Sequence, residues 1–64
     1  MKQSELIRAL RETAKDKKAT LVLARHGGKH DIYRIGDDGV EFAVPRHSEI
    51  NELTARSILK EAAR

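Results

Sequence analysis

The chain contains no cysteine, so a disulfide scaffold, a zinc ribbon and a thiol nucleophile are all excluded. Aromatic residues are almost as scarce: Tyr33 and Phe42 are the whole set. Phe42 has the pattern of a core residue, and a stacking platform for unpaired bases needs several exposed rings. Contact with a nucleic acid, if it occurs, is expected through phosphate and sugar. No apolar run approaches the length of a membrane span, and the first residues carry no apolar stretch of the signal-peptide kind. A soluble cytoplasmic protein is the expectation. The glycine fingerprints of dinucleotide-binding and P-loop folds are missing. So are a Ser-His-Asp arrangement and paired carboxylates in apolar surroundings, which leaves a serine hydrolase or a two-acid hydrolase unsupported.

What remains is a short, charged chain. Its 64 residues predict one domain. A domain this small buries only about 60% of its unfolded surface, so the core is thin and no deep cofactor pocket fits inside. Chemistry is therefore expected at the surface. Lys and Arg number 13 against 10 Asp and Glu, a net charge of +3. That excess suits a polyanionic partner without demanding one.

Hydrophobic periodicity predicts five elements. Leu6, Ile7, Leu10 and Ala14 fall on one face of a helix over Ser4–Ala14. Lys15-Asp16-Lys17-Lys18 reads as a charged connector, solvated or in contact with phosphate. Thr20–Arg25 is short and apolar, as a strand is. His26-Gly27-Gly28-Lys29 breaks it, and the two glycines permit a tight turn or close backbone approach to a ligand. His30–Ile35 is a second strand. Gly36-Asp37-Asp38-Gly39 forms a hairpin loop. Val40–Val44 is the third strand, with Val40, Phe42 and Val44 on one face. Pro45 ends it. Asn51 caps a second helix running to about Ala63, in which Ala55, Ile58, Leu59 and Ala62 form an apolar stripe and Glu52 and Arg56 an exposed i,i+4 pair. The fold class predicted is α+β, in the order α-β-β-β-α: a three-stranded antiparallel sheet with both helices on one face, as in double-stranded-RNA-binding domains.

Three histidines are available: His26, His30 and His47. Zinc binding by His26 and His30 would need a helix to make their spacing converge, and they straddle a glycine turn. Asp37 and Asp38 are explained by the hairpin rather than by a cation. No metal and no cofactor are expected. Position 30 stands apart for local reasons. It follows a double glycine and opens a strand. Lys29 is beside it, and Arg34 shares its strand parity. Imidazole exchanges protons near neutrality, and nearby cations stabilise charge on phosphate. Those are the parts needed to cut RNA through its own 2′-hydroxyl.

The order and spacing of four segments resemble the HicA family of mRNA interferase toxins. They are Ser4-Glu5-Leu6-Ile7, Gly28-Lys29-His30-Asp31-Ile32-Tyr33, Val44-Pro45-Arg46-His47 and Leu53 to Lys60. The resemblance covers nearly the whole chain. It implies a fold like that of double-stranded-RNA-binding domains, ribosome-independent mRNA cleavage in a toxin–antitoxin system, and a HicB-type antitoxin partner that covers the active site. The family's catalytic histidine falls on His30. Gly28, Lys29, Arg34 and His47 are the accompanying candidates for RNA contact. Two positions depart from the family pattern: Lys29 stands where Ser or Thr is common, and Ala19-Thr20 where an aromatic is common. Cleavage through a 2′-hydroxyl also needs a second proton-transfer group, for which His26, His47, Lys and water are the available choices. The alternative is an RNA-binding module without catalysis, with His30 touching sugar or phosphate. A domain that acts only within a protein complex is the third reading.

Overall fold

The computed structural model describes all residues, 1–64. Helix α1 spans Gln3–Asp16, strands β1, β2 and β3 span Leu21–His26, His30–Ile35 and Glu41–Pro45, and helix α2 spans Glu52–Ala62. The strands form one antiparallel sheet in the order β1-β2-β3. This is the predicted α-β-β-β-α layout.

Strand alternation divides the sheet into two faces. Ile35, Phe42 and Val44 share one face and are buried with Leu6, Leu10 and Ala14 of α1 and with Ala55, Ile58 and Ala62 of α2. Ile50, in the segment before α2, completes this single core of 10 residues. The opposite face carries Ile32, Arg34, Glu41 and Ala43 and is left open. Both helices obey the spacing that forms them: buried positions recur every three to four residues, so one stripe of each meets the sheet. Burying the Leu6 and Leu10 side chains contributes roughly 1.5–3 kcal/mol each.

The ends of the elements follow local chemistry. The side-chain oxygen of Asn51 accepts from the Leu53 backbone N–H at 2.8 Å, capping α2 as its position predicted. At the other end of α2, the Lys17 ammonium donates to the carbonyl of Ala62 at 3.0 Å and to that of Arg64. The predicted connector 15–18 is thus partly helix: Lys15 and Asp16 form the last turn of α1, and Lys17 ties α1 to the end of α2.

Two other expectations need correction. Val40 lies outside β3 and is exposed, because the tight 36–39 loop delays the strand until Glu41. Glu52 does not pair with Arg56; its carboxylate lies 3.3 Å from the Met1 ammonium, which also meets Glu49 at 3.0 Å and donates to the Ile50 carbonyl. A full positive charge beside the first turn of α2 is a better partner than a side chain one turn along. Within the 36–39 loop, Gly36 adopts a left-handed φ of 73°, and a side chain at Gly39 would strike the Ile35 carbonyl.

Candidate functional site

The hairpin joining β1 and β2 brings His26, Lys29, His30 and Asp31 to one end of the sheet. Gly27 donates its N–H to the His30 carbonyl at 2.7 Å, which leaves Gly28 and Lys29 as the tip. A Cβ at Gly27 would lie 2.5 Å from the His30 oxygen, so the turn requires glycine there. A Cβ at Gly28 would meet nothing within 4 Å. Of the two glycines, Gly27 serves the fold and Gly28 leaves open space at the tip. Arg46 follows β3 and donates its backbone N–H to the Lys29 carbonyl at 3.2 Å, fastening the exit of β3 to this turn.

His30 is the first residue of β2 and pairs with Pro45 of β3. Its exposed side chain lines a shallow groove of about 340 Å³ with Ala43, Pro45, Leu53, Thr54 and Ser57. Ile58, a core residue of α2, forms part of the same groove. The groove exists because α2 packs over the edge of β3, setting two hydroxyls and the 74% exposed Leu53 beside the open sheet face. His30 is the only titratable side chain in the lining and makes no hydrogen bond or ion pair within the protein.

A second constellation, which sequence reasoning did not find, lies behind His30. Asp31 faces the helix-covered side, and its side chain is only 14% exposed. Its Oδ1 lies 3.0 Å from His26 Nδ1 and accepts from Arg46 Nε at 2.8 Å. Arg46 also pairs with it through a terminal guanidinium nitrogen at 2.7 Å. The His26 hydrogen bond, with the Arg46 bonds and charge, holds the Asp31 carboxyl below its ordinary value. An ionised Asp31 accepts at Oδ1, so His26 Nδ1 is the donor in this bond, on an imidazole that is 68% exposed. The 3.2 Å approach of Arg46 to Nδ1 then reflects shared attraction to Asp31, since two donors cannot bond each other.

The other predicted site residues are dispersed. Lys29 is exposed at the tip and its side chain pairs with no carboxylate. Arg34 sits at the far end of β2, where its Nε donates to the Gly36 carbonyl at 2.8 Å and a terminal nitrogen lies 3.7 Å from Glu41. Strand parity gives Arg34 the same face as His30 but not the same place. His47 is exposed beyond Arg46 and does not line the groove. No three His, Asp or Glu side chains gather as a ligand set for a metal ion, and no helix is long and apolar enough to cross a membrane.

Comparisons with protein-family models, with curated proteins and with solved structures return no match for this chain.

Proposed function

We propose that this chain is a metal-independent endoribonuclease that cleaves mRNA, the toxin of a HicA-like toxin–antitoxin pair, with His30 as its catalytic residue. The observation that carries this reading is the position of His30: an unpaired, exposed imidazole on a rigid strand start, lining a groove with two hydroxyls. The Asp31, His26 and Arg46 side chains behind it are instead bonded to one another within the protein. An imidazole free of internal partners keeps its proton-transfer capacity for a ligand.

The chemistry follows from that arrangement. His30 removes the proton of a ribose 2′-hydroxyl. The 2′-oxygen attacks the adjacent phosphorus, and the bond from phosphorus to the 5′-oxygen breaks. The leaving 5′-oxygen takes a proton from water, and the products carry a 2′,3′-cyclic phosphate and a 5′-hydroxyl. Lys29 on the flanking tip supplies positive charge near the phosphate as charge accumulates there. Thr54 and Ser57 offer hydrogen bonds to sugar or phosphate across the groove, and Gly28 allows the RNA backbone close to the tip. His47 and Arg34 are assigned at most outer contacts. The toxin reading brings with it a HicB-type antitoxin, for which the His30 groove and the exposed Leu53 offer a surface to cover.

One observation favours a second reading, an RNA-binding module without catalysis: the groove holds a single titratable group, and a proton relay uses two. The test separates the two readings. RNA is incubated with the wild-type chain and with His30→Ala, alongside a substrate carrying 2′-deoxyribose at the scissile position. The enzyme reading expects cleavage by wild type only, and resistance of the deoxy substrate. Binding without any cleavage supports the second reading. Cleavage of the deoxy substrate at the normal rate overturns the 2′-hydroxyl route.

A further inference from the structure

The strongest unpartnered charge lies away from the His30 groove, along α1. Arg8, Arg11, Lys15 and Lys18 are spaced three, four and three residues apart. At about 100° per residue that spacing gathers Arg8, Arg11 and Lys15 into one narrow arc of the helix surface, roughly 10 Å long, and Lys18 follows just past the helix end. All four are exposed. The acidic residues of α1 (Glu5, Glu12 and Asp16) occupy a separate arc. Glu12 is four residues from Arg8 and three from Lys15, yet no carboxylate comes within ion-pair distance of any of the four cations; every ion pair in the protein involves other groups. The middle pair of the row, Arg11 and Lys15, lines a groove with Ala19, Thr20 and Leu21, where the chain enters β1.

A row of like charges on neighbouring helical turns destabilises the helix that carries it. The helix dipole compensates this for Lys15 and Lys18 at the C-terminus, but not for Arg8 and Arg11 in the middle. Lys18 adds an independent observation. It takes a left-handed φ of 57°, the one non-glycine residue to do so. It stands just past the end of α1, where the Ala19 N–H returns to the Ala14 carbonyl and where glycine is the residue of lowest cost. The chain thus keeps a strained lysine where glycine would serve the fold better, and that lysine adds one more positive charge just past the C-terminal end of α1.

We infer that Arg8, Arg11, Lys15 and Lys18 form a docking track for the sugar–phosphate backbone of single-stranded RNA, separate from the site of cleavage. The inference rests on the RNA-directed reading of the His30 site and adds where the rest of the strand lies. Arg11 and Lys15 stand where the chain enters β1, at the end of that strand opposite the His26–His30 hairpin, so the track holds substrate at a distance and takes no part in proton transfer. Its four cations face phosphate without sequence preference.

The test measures binding of a short single-stranded RNA to the intact His30→Ala chain over a range of salt concentrations, so that cleavage plays no part in the readout. Replacing Arg8 and Arg11 together by Gln is expected to weaken binding at low salt by at least about tenfold. The log–log salt slope is expected to fall by about 1.4, the value for two lost phosphate contacts on a single strand. Lys60→Gln, which removes a cation outside the row, leaves the slope unchanged. Lys18→Gly gives the sharpest contrast: melting temperature rises while RNA affinity falls. Helical circular dichroism of each variant confirms folding, and Gln at exposed helix positions preserves it. An unchanged slope in the Arg8/Arg11 variant overturns the track, as does tighter binding to anionic phospholipid vesicles than to RNA. Absence of cleavage by wild type, with the salt slopes as expected, would instead remove the catalytic reading and leave the track standing.

Discussion

His26 and Asp31 face each other across the terminal pair of the β1–β2 ladder, with Nδ1 and Oδ1 3.0 Å apart. His30, one residue from Asp31, points to the other side of the sheet. The two imidazoles at this hairpin therefore lie on opposite faces of the sheet. Cleavage is expected to survive in His26→Ala within a few-fold of wild type and to vanish in His30→Ala. Initial rates on the same RNA decide it, and a His26→Ala variant as inactive as His30→Ala would place His26 in the chemistry.

Asp31 holds the exit of β3 against the hairpin through Arg46, and its contribution depends on pH in a defined direction. The carboxyl is depressed in the folded chain relative to about 3.9 in an unfolded one. The folded state therefore gains from ionised Asp31 above that value and loses the gain as pH falls through the folded value. Asp31→Asn should melt below wild type near neutrality, with the gap closing as the solution is acidified past the carboxylate range. Thermal melts across an acid series measure this. A gap independent of pH would mean that the ion pair with Arg46 adds nothing to stability.

The two hairpin glycines should respond differently to the same change. Gly27→Ala forces a methyl against the His30 carbonyl and should cost about 2 kcal/mol, with loss of activity through displacement of His30. Gly28→Ala meets open space and should stay within about 0.5 kcal/mol of wild type. If RNA approaches the tip closely, Gly28→Ala nevertheless raises KM while leaving the melting temperature alone. Chemical denaturation and steady-state kinetics on the pair give the comparison.

The helices test the core and the cap independently of function. Leu10→Ala removes a fully buried side chain from a core of 10 residues and should cost about 2–5 kcal/mol, enough to leave so small a domain largely unfolded. Asn51→Ala removes the cap of α2 and should cost about 1 kcal/mol. Urea denaturation separates these magnitudes.

The elements were legible in the sequence because their signals are local. The α1 and α2 stripes, the clean alternation of Phe42 and Val44, and Asn51 before an apolar period each fix an element with no knowledge of the rest. His30 as the start of β2 followed from the glycines before it. The site's second half was not legible, because a β-bulge between Leu23 and Arg25 shifts the register of β1. Without that bulge, unbroken alternation from Leu21 would put His26 on the open face with His30. With it, Arg25 joins the open face, 3.3 Å from Glu41, and His26 turns to Asp31. Nothing in Leu23-Ala24-Arg25 announces such a shift. The distance of Arg34 from His30 was hidden for a related reason: parity gives a face, whereas the distance along a strand decides which residues meet. The Arg46 link to Asp31 is a tertiary contact spanning 15 residues and leaves no periodic trace.

The central claim is that His30 is the catalytic residue of an RNA-cleaving site, and one measurement reaches it most directly. Purified wild-type chain and His30→Ala, matched in melting temperature and helical signal, are incubated with the same RNA and the initial cleavage rates compared. The expected result is a loss of at least about a hundredfold in the variant, the scale of a missing acid–base group. A folded His30→Ala chain that cuts RNA at the wild-type rate would contradict it.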